Sequence, residues 1–139
     1  MEKRKKAKQV QDKYFNHLMK KGHQAGMVAE NFKGFEPKTL VVDEGVCGFA
    51  WIEINPATGA FTKWVKKNRE RFGGQWHKQK YYMGATGMDF GIYNGYPKGL
   101  HMGVRLFGQG MTRKAAYCAG FANVLREAGI NAYANNRMD

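Results

Sequence analysis

Apolar and polar positions along this chain change period several times, and each change marks a predicted element. From Lys3 to Lys21 the residues are good helix formers, and Val10, Tyr14 and Leu18 recur at i, i+4 and i+8 with Met19 beside them. That spacing predicts a basic helix with a narrow apolar stripe, which either docks on the body or orders against a partner. Gly22, Gly26, Gly34 and Pro37 then read as a linker over residues 22–37. Thr39–Val42 and Val46–Ile54 flank Asp43-Glu44-Gly45 and predict two strands joined by a hairpin turn. In the second strand Val46, Gly48, Ala50, Ile52 and Ile54 share one face, and Cys47, Phe49, Trp51 and Glu53 share the other. Both faces are largely apolar, which predicts a central strand.

Asn55-Pro56 reads as a helix start, with Asn as N-cap and Pro at the first helical position. Ala57, Phe61, Trp64 and Val65 keep helical spacing to about Asn68, with Lys63, Lys66, Lys67 and Arg69 on or near the opposite side. Gly73-Gly74 ends that element. Gln75–Met83 is polar and weakly alternating, which suits an exposed hairpin arm. Met88, Phe90 and Ile92 alternate as a strand, and Leu100, Met102, Val104 and Leu106 do so most cleanly of all. The last helix is capped by Thr112. Tyr117, Phe121, Val124, Leu125 and Ala128 form its stripe, widened by Ala115, Cys118, Ala119 and Ala122 for close packing on a sheet. Gly129 suits the position just past its end. Ile130–Ala134 follows as a short edge strand and Asn135–Asp139 as a polar tail. The order β-α-β-β-α-β is that of a ferredoxin-like α+β sandwich, an antiparallel sheet with helices on one face. The expected organisation is a basic helical arm and linker over 1–37 and a single α+β domain over 38–139.

The 139 residues carry 43% hydrophobic and 14% aromatic side chains, enough for one packed core. No apolar run approaches a membrane span, and the basic start lacks the apolar stretch of a secretory leader, so no membrane partner is expected. Cys47 and Cys118 sit far apart in apolar patterns and read as buried free thiols of a reducing compartment.

Charge changes the picture more than composition does. Residues 1–38 carry ten Lys/Arg against four acids, and residues 63–80 carry seven against one, which accounts for the whole net charge of +12. Such concentration points to a polyanion. Lys3, Arg4, Lys5, Lys6 and Lys8 form one cluster. Lys63, Lys66, Lys67, Arg69, Arg71, Lys78 and Lys80 form the other. Several cations within reach of neighbouring phosphates are what backbone neutralisation requires. Trp76, Tyr81 and Tyr82 interleave with Lys78 and Lys80, a composition that stacks bases between phosphate contacts, and Trp76 and Tyr81 are the expected stacking rings. Phe49, Trp51, Arg105 and Phe107 share the parity of the sheet face without helices, which RNA-recognition modules use. Val104–Phe107 lacks the Lys/Arg-Gly-Phe-Gly-Phe pattern of those modules, so Phe49 and Trp51 read as core.

Other chemistry is thin. His17, His23, His77 and His101 have no partner at metal-ligand spacing, and no metal or cofactor is expected. A Cys–His nucleophile with His77 or His101 is possible in principle, but both cysteines read as small core residues. The carboxylates form no catalytic pair. Gly84-Ala85-Thr86-Gly87 and Gly108-Gln109-Gly110-Met111-Thr112 lack the Gly-Lys-Ser/Thr ending of a phosphate loop.

Gly45-Val46-Cys47-Gly48-Phe49-Ala50-Trp51-Ile52, Met111-Thr112-Arg113-Lys114-Ala115-Ala116-Tyr117, Ala128-Gly129-Ile130-Asn131-Ala132-Tyr133 and the ending Arg137-Met138-Asp139 are similar to small tailed-bacteriophage proteins without assigned activity. The resemblance covers about residues 40–139, implies action in the cytoplasm of a bacterial host, and carries over no site. Together these readings predict a non-enzymatic accessory protein whose partner is DNA, RNA or a host nucleoprotein complex. Alternatives are a counter-defence inhibitor of the anti-CRISPR type and a nucleotide-sequestering protein or enzyme using Thr112 and Gly108–Gly110.

Overall fold

A computed structural model describes residues 2–34, 48–55, 58–72, 90–95, 99–104 and 111–138. The elements, in order, are α1 (Glu2–Gly34), β1 (Gly48–Ile54), α2 (Ala60–Lys67), a short 3-10 turn (Arg69–Phe72), β2 (Phe90–Gly95), β3 (Gly99–Val104), α3 (Met111–Glu127) and β4 (Ala132–Met138). The class is mixed α+β. The strands form one antiparallel sheet in the order β2-β3-β1-β4, with the helices on one side. β1 is central, as its sequence predicts. The hairpin expected at Thr39–Ile54 before Gly48 and the arm at Gln75–Met83 lie outside the described residues.

The alternation of β1 and β3 sorts their side chains. Ala50, Ile52, Ile54, Leu100, Met102 and Val104 are buried under the helices. Phe49, Trp51 and Glu53 point the other way, and Phe49 is 48% exposed, so the expectation that Phe49 and Trp51 are core residues is corrected. Among the described residues helices cover only one face of β1; on its second face Phe49 is exposed and Trp51 half-buried against the buried His101.

α3 lies against β1 and β4, and α1 packs on α3. The stripe of α3 is buried as expected at Tyr117, Phe121, Val124 and Leu125. Its helix starts at Met111, so Thr112 sits within the first turn rather than capping it. At the other end Gly129 has φ +87°. Gly129 N–H donates to Arg126 O at 2.9 Å and Ile130 N–H to Leu125 O at 3.0 Å, the paired bonds of a Schellman cap. β4 then pairs with β1 along its full length to Met138, so the expected polar tail is strand.

The largest departure is at residues 22–37. Instead of a linker, the chain stays helical through Gly22 and Gly26 to Gly34. A glycine costs about 1 kcal/mol against alanine inside a helix, and here it permits contact. A Cβ on Gly22 would stand 2.6 Å from the Phe121 ring, and one on Gly26 would stand 2.8 Å from the Tyr117 carbonyl oxygen. From the other side, a Cβ on Gly120 would meet the Ala25 carbonyl oxygen at 2.7 Å. The contacts Gly22–Phe121, Gly26–Tyr117 and Glu30–Arg113 run oppositely along the two helices, so α1 and α3 are antiparallel. The buried stripe of α1 is thus Phe15, Leu18, Met19, Gly22 and Gly26. Leu18 and Met19 are core as expected, whereas Val10 (67% exposed) and Tyr14 (48%) are not.

α2 begins at Ala60 after Gly59 as N-cap, four residues later than Asn55-Pro56 predicts. Phe61, Trp64 and Val65 are buried, as their spacing requires.

Candidate nucleic-acid interface

Helices α1 and α2 meet through aromatic packing. Phe15 of α1 stands edge-on to Phe61 at 5.1 Å and to Trp64 at 5.5 Å, and Trp64 Nε1 donates to Asp12 Oδ1 at 3.0 Å. These contacts set α2 against the N-terminal half of α1. Lys5, Gln9, Asp12 and Asn16 follow one another at helical spacing on the flank that faces α2. Lys6, Lys13 and Lys20, each seven apart, line the neighbouring strip and are exposed. On α2, Lys63 and Lys67 are exposed and Lys66 is half-buried; Arg69, in the following turn, is exposed. Lys3 and Arg4 lie in the first turns of α1, and Arg71 in the 3-10 turn. Lys78, Lys80, Trp76 and Tyr81 lie outside the described residues.

The N-terminal half of α1 is a poor place for cations on helix grounds alone. The macrodipole puts partial positive charge there, and each cation in the first turn costs about 0.3–1 kcal/mol when exposed. Lys66 and Lys67 occupy the last turn of α2, where the dipole favours them. Residues 5–11 are all exposed, so this basic segment of α1 precedes its first core residue, Phe15.

The sheet face opposite the helices has different chemistry. Register places Phe49 beside Arg137, Trp51 beside Asn135 and Glu53 beside Tyr133. On the other side, Trp51 faces Gly103 and Glu53 faces His101. The Trp51 indole stacks on His101 at 5.8 Å with planes 14° apart and donates to Glu53 Oε1 at 3.1 Å. Asn135 Nδ2 donates to the same oxygen at 3.2 Å, and His101 Nε2 lies 3.7 Å from it. Burial holds the His101 pKa below its ordinary value, and the Glu53 charge opposes that shift in part. Arg137 lies 5.8 Å from the Phe49 ring centre, and Arg126 lies 5.3 Å from that of Tyr133. Arg126 also donates to the Ala132 carbonyl at 2.8 Å.

Where α1 meets α3, His23 Nδ1 shares a 2.6 Å hydrogen bond with Tyr117 Oη. Burial lowers the His23 pKa; burial and, less, Cys118 raise that of Tyr117. Arg113 Nε donates to the buried Glu30 carboxylate. The Cys118 thiol is pushed up to about 12, chiefly by burial with Lys114 opposing. It stays protonated near neutrality and is not a nucleophile there. Cys47 lies outside the described residues. Among the described residues no three His, Cys, Asp or Glu side chains gather as a metal site, and no helix is long and apolar enough to cross a membrane.

Sequence reasoning missed the ring-and-arginine arrangement on β1 and β4. Its signal was the alternation of Tyr133, Asn135 and Arg137, hidden because Tyr133 falls in a short edge strand while Asn135–Asp139 reads as a polar tail. The molecule is a small α+β protein with a helix-covered antiparallel sheet, a basic helix pair and an aromatic second face. The chain matches no family model, no curated protein and no solved structure.

Proposed function

We propose that this protein binds nucleic acid without catalysing a reaction, using the N-terminal half of α1 and α2 as one phosphate-contacting surface. The single observation that carries the reading is the Phe15–Phe61–Trp64 packing with the Trp64–Asp12 bond, which holds α2 against the N-terminal half of α1. Lys5, Lys6, Lys63, Lys66, Lys67 and Arg69 are its proposed phosphate contacts among the described side chains, and Lys3, Arg4, Arg71, Lys78 and Lys80 are proposed as further ones. Trp76 and Tyr81 remain proposed stacking rings. The strand order β2-β3-β1-β4 supports the ferredoxin-like form of the α+β body. The phage resemblance supports action in the cytoplasm of a bacterial host.

Cations of one sign release counterions on binding, so affinity falls steeply with salt and little with sequence. The test is a titration of labelled duplexes at two salt concentrations. Binding at low salt that weakens with salt is expected, and no binding at low salt rejects the reading.

A second reading, a counter-defence inhibitor acting by protein contact, is favoured by a different strip of α1. Val10, Tyr14, Lys21 and Val28 follow one another on the flank away from α2, and Val28 is 70% exposed. That strip borders a shallow groove lined by Ala25, Ala29, Ala116 and Gly120. A nuclease-treated host lysate passed over the immobilised protein tests it, and loss of every partner rejects it.

A further inference from the structure

We propose that the sheet face opposite the helices is a stacking surface for the unpaired bases of a single-stranded nucleic acid, with Phe49 and Tyr133 as its rings. The inference rests on the nucleic-acid reading and adds a ligand form and a second surface. Phe49 is 48% and Tyr133 51% exposed, and both rings stand in solvent on strands whose other face is packed. Each has a guanidinium over one face of the ring, Arg137 for Phe49 and Arg126 for Tyr133, which leaves the other face for a base. A ring beside a guanidinium gives a base a π-face and gives the adjoining phosphate a counter-charge.

The surface between them is held in place. Trp51 is fixed by its stack on His101 and its bond to Glu53, and Asn135 is fixed by the same carboxylate. A ring already ordered loses little rotamer freedom when a base settles on it. Gly91 pairs with Gly103, and Gly103 pairs with Trp51, so the row beside the indole carries no side chain on β2 or β3. Phe49 pairs with Arg137 and Tyr133 lies four residues back along β4, about 13 Å at strand rise. The two rings are therefore far enough apart to take different bases. Glu53 is the one carboxylate in this row of described residues, and its oxygen already accepts from Trp51 and Asn135. A duplex hides its base faces, so this surface selects single strands.

The test compares a labelled oligouridylate with a duplex of equal length, by fluorescence anisotropy, for the full chain and for Phe49→Ala, Tyr133→Ala, Arg137→Gln and a Lys63→Gln/Lys67→Gln variant. Phe49 and Tyr133 are half-exposed, so their loss leaves the core intact, and thermal melts verify this. Loss of either ring is expected to weaken single-strand binding about tenfold and duplex binding less than twofold. The lysine variant weakens both. Ring variants that bind the single strand like the parent, or lose both ligands equally, overturn the inference and leave the basic-surface reading standing. A parent chain that binds the duplex alone does the same. A parent chain that binds neither at low salt overturns both.

Discussion

On the helix side, Lys5, Lys6, Lys13, Lys63 and Lys67 project from α1 and α2, and among the described residues the flank that joins the two helices carries no exposed ring. On the other side, Phe49, Trp51 and Tyr133 stand on β1 and β4 with Arg137 and Arg126, and their charges are few. As proposed binding surfaces, the first would attract by field and the second by contact area. Field attraction acts at a distance, tolerates any sequence and decays with salt. Stacking needs unpaired bases and tolerates any of them, because every base has a π-face. The two proposals assign recruitment of a polyanion to the first surface and capture of its bases to the second.

The strongest way to break the comparison is to detach α1, since that removes one basic cluster while leaving the sheet. Gly120→Val forces a side chain against the Ala25 carbonyl oxygen and Ala29 Cβ. Overpacking of this kind costs about 3 kcal/mol, read as a lower urea midpoint.

Neutralising Lys5, Lys6, Lys63 and Lys67 to Gln sharpens the contrast without touching the core. If all four meet phosphates of a duplex, the slope of log K against log salt falls by about 3 to 4. The melting temperature is expected to stay close to that of the parent, because exposed cations contribute little to stability.

Much of this was legible beforehand, for identifiable reasons. β1, β3 and α3 follow strict periods of two or 3.6 against a single core, so hydrophobic alternation sufficed. Gly22 and Gly26 were misread because glycine has two uses, as helix breaker and as the place where two helices touch. Only the partner, Phe121 and Tyr117 on a helix nearly a hundred residues away, distinguishes them. Phe49 and Trp51 were misread because an apolar residue on a central strand is core only if both faces are covered. The charge clusters were legible as composition, but the packing of α2 on α1 depends on Phe15 and Trp64 meeting across the fold.

A smaller effect isolates that packing. Trp64→Phe keeps most of the buried ring but removes the donor to Asp12 Oδ1. The expected loss is about 1–2 kcal/mol, seen by chemical denaturation, with weaker duplex binding and unchanged single-strand stacking.

The smallest effect is in pH. His23 and His101 are both held below the ordinary 6.5 by burial. The unfolded chain therefore takes up protons first. Their contribution to stability is complete above about 6.5 and is lost as pH falls through the lowered folded values. Denaturation midpoints measured from pH 8 to 5 are expected to be flat and then decline. His23→Gln and His101→Gln each reduce the decline, and only the latter perturbs Trp51 fluorescence.

The most direct measurement is a lysine acetylation footprint of the protein with and without a short duplex at low salt. Joint protection of Lys5, Lys6, Lys63 and Lys67, with Lys21 on the opposite flank of α1 still reactive, is the predicted result. Protection of Lys21 with Lys5 and Lys63 left reactive contradicts a shared phosphate surface on α1 and α2.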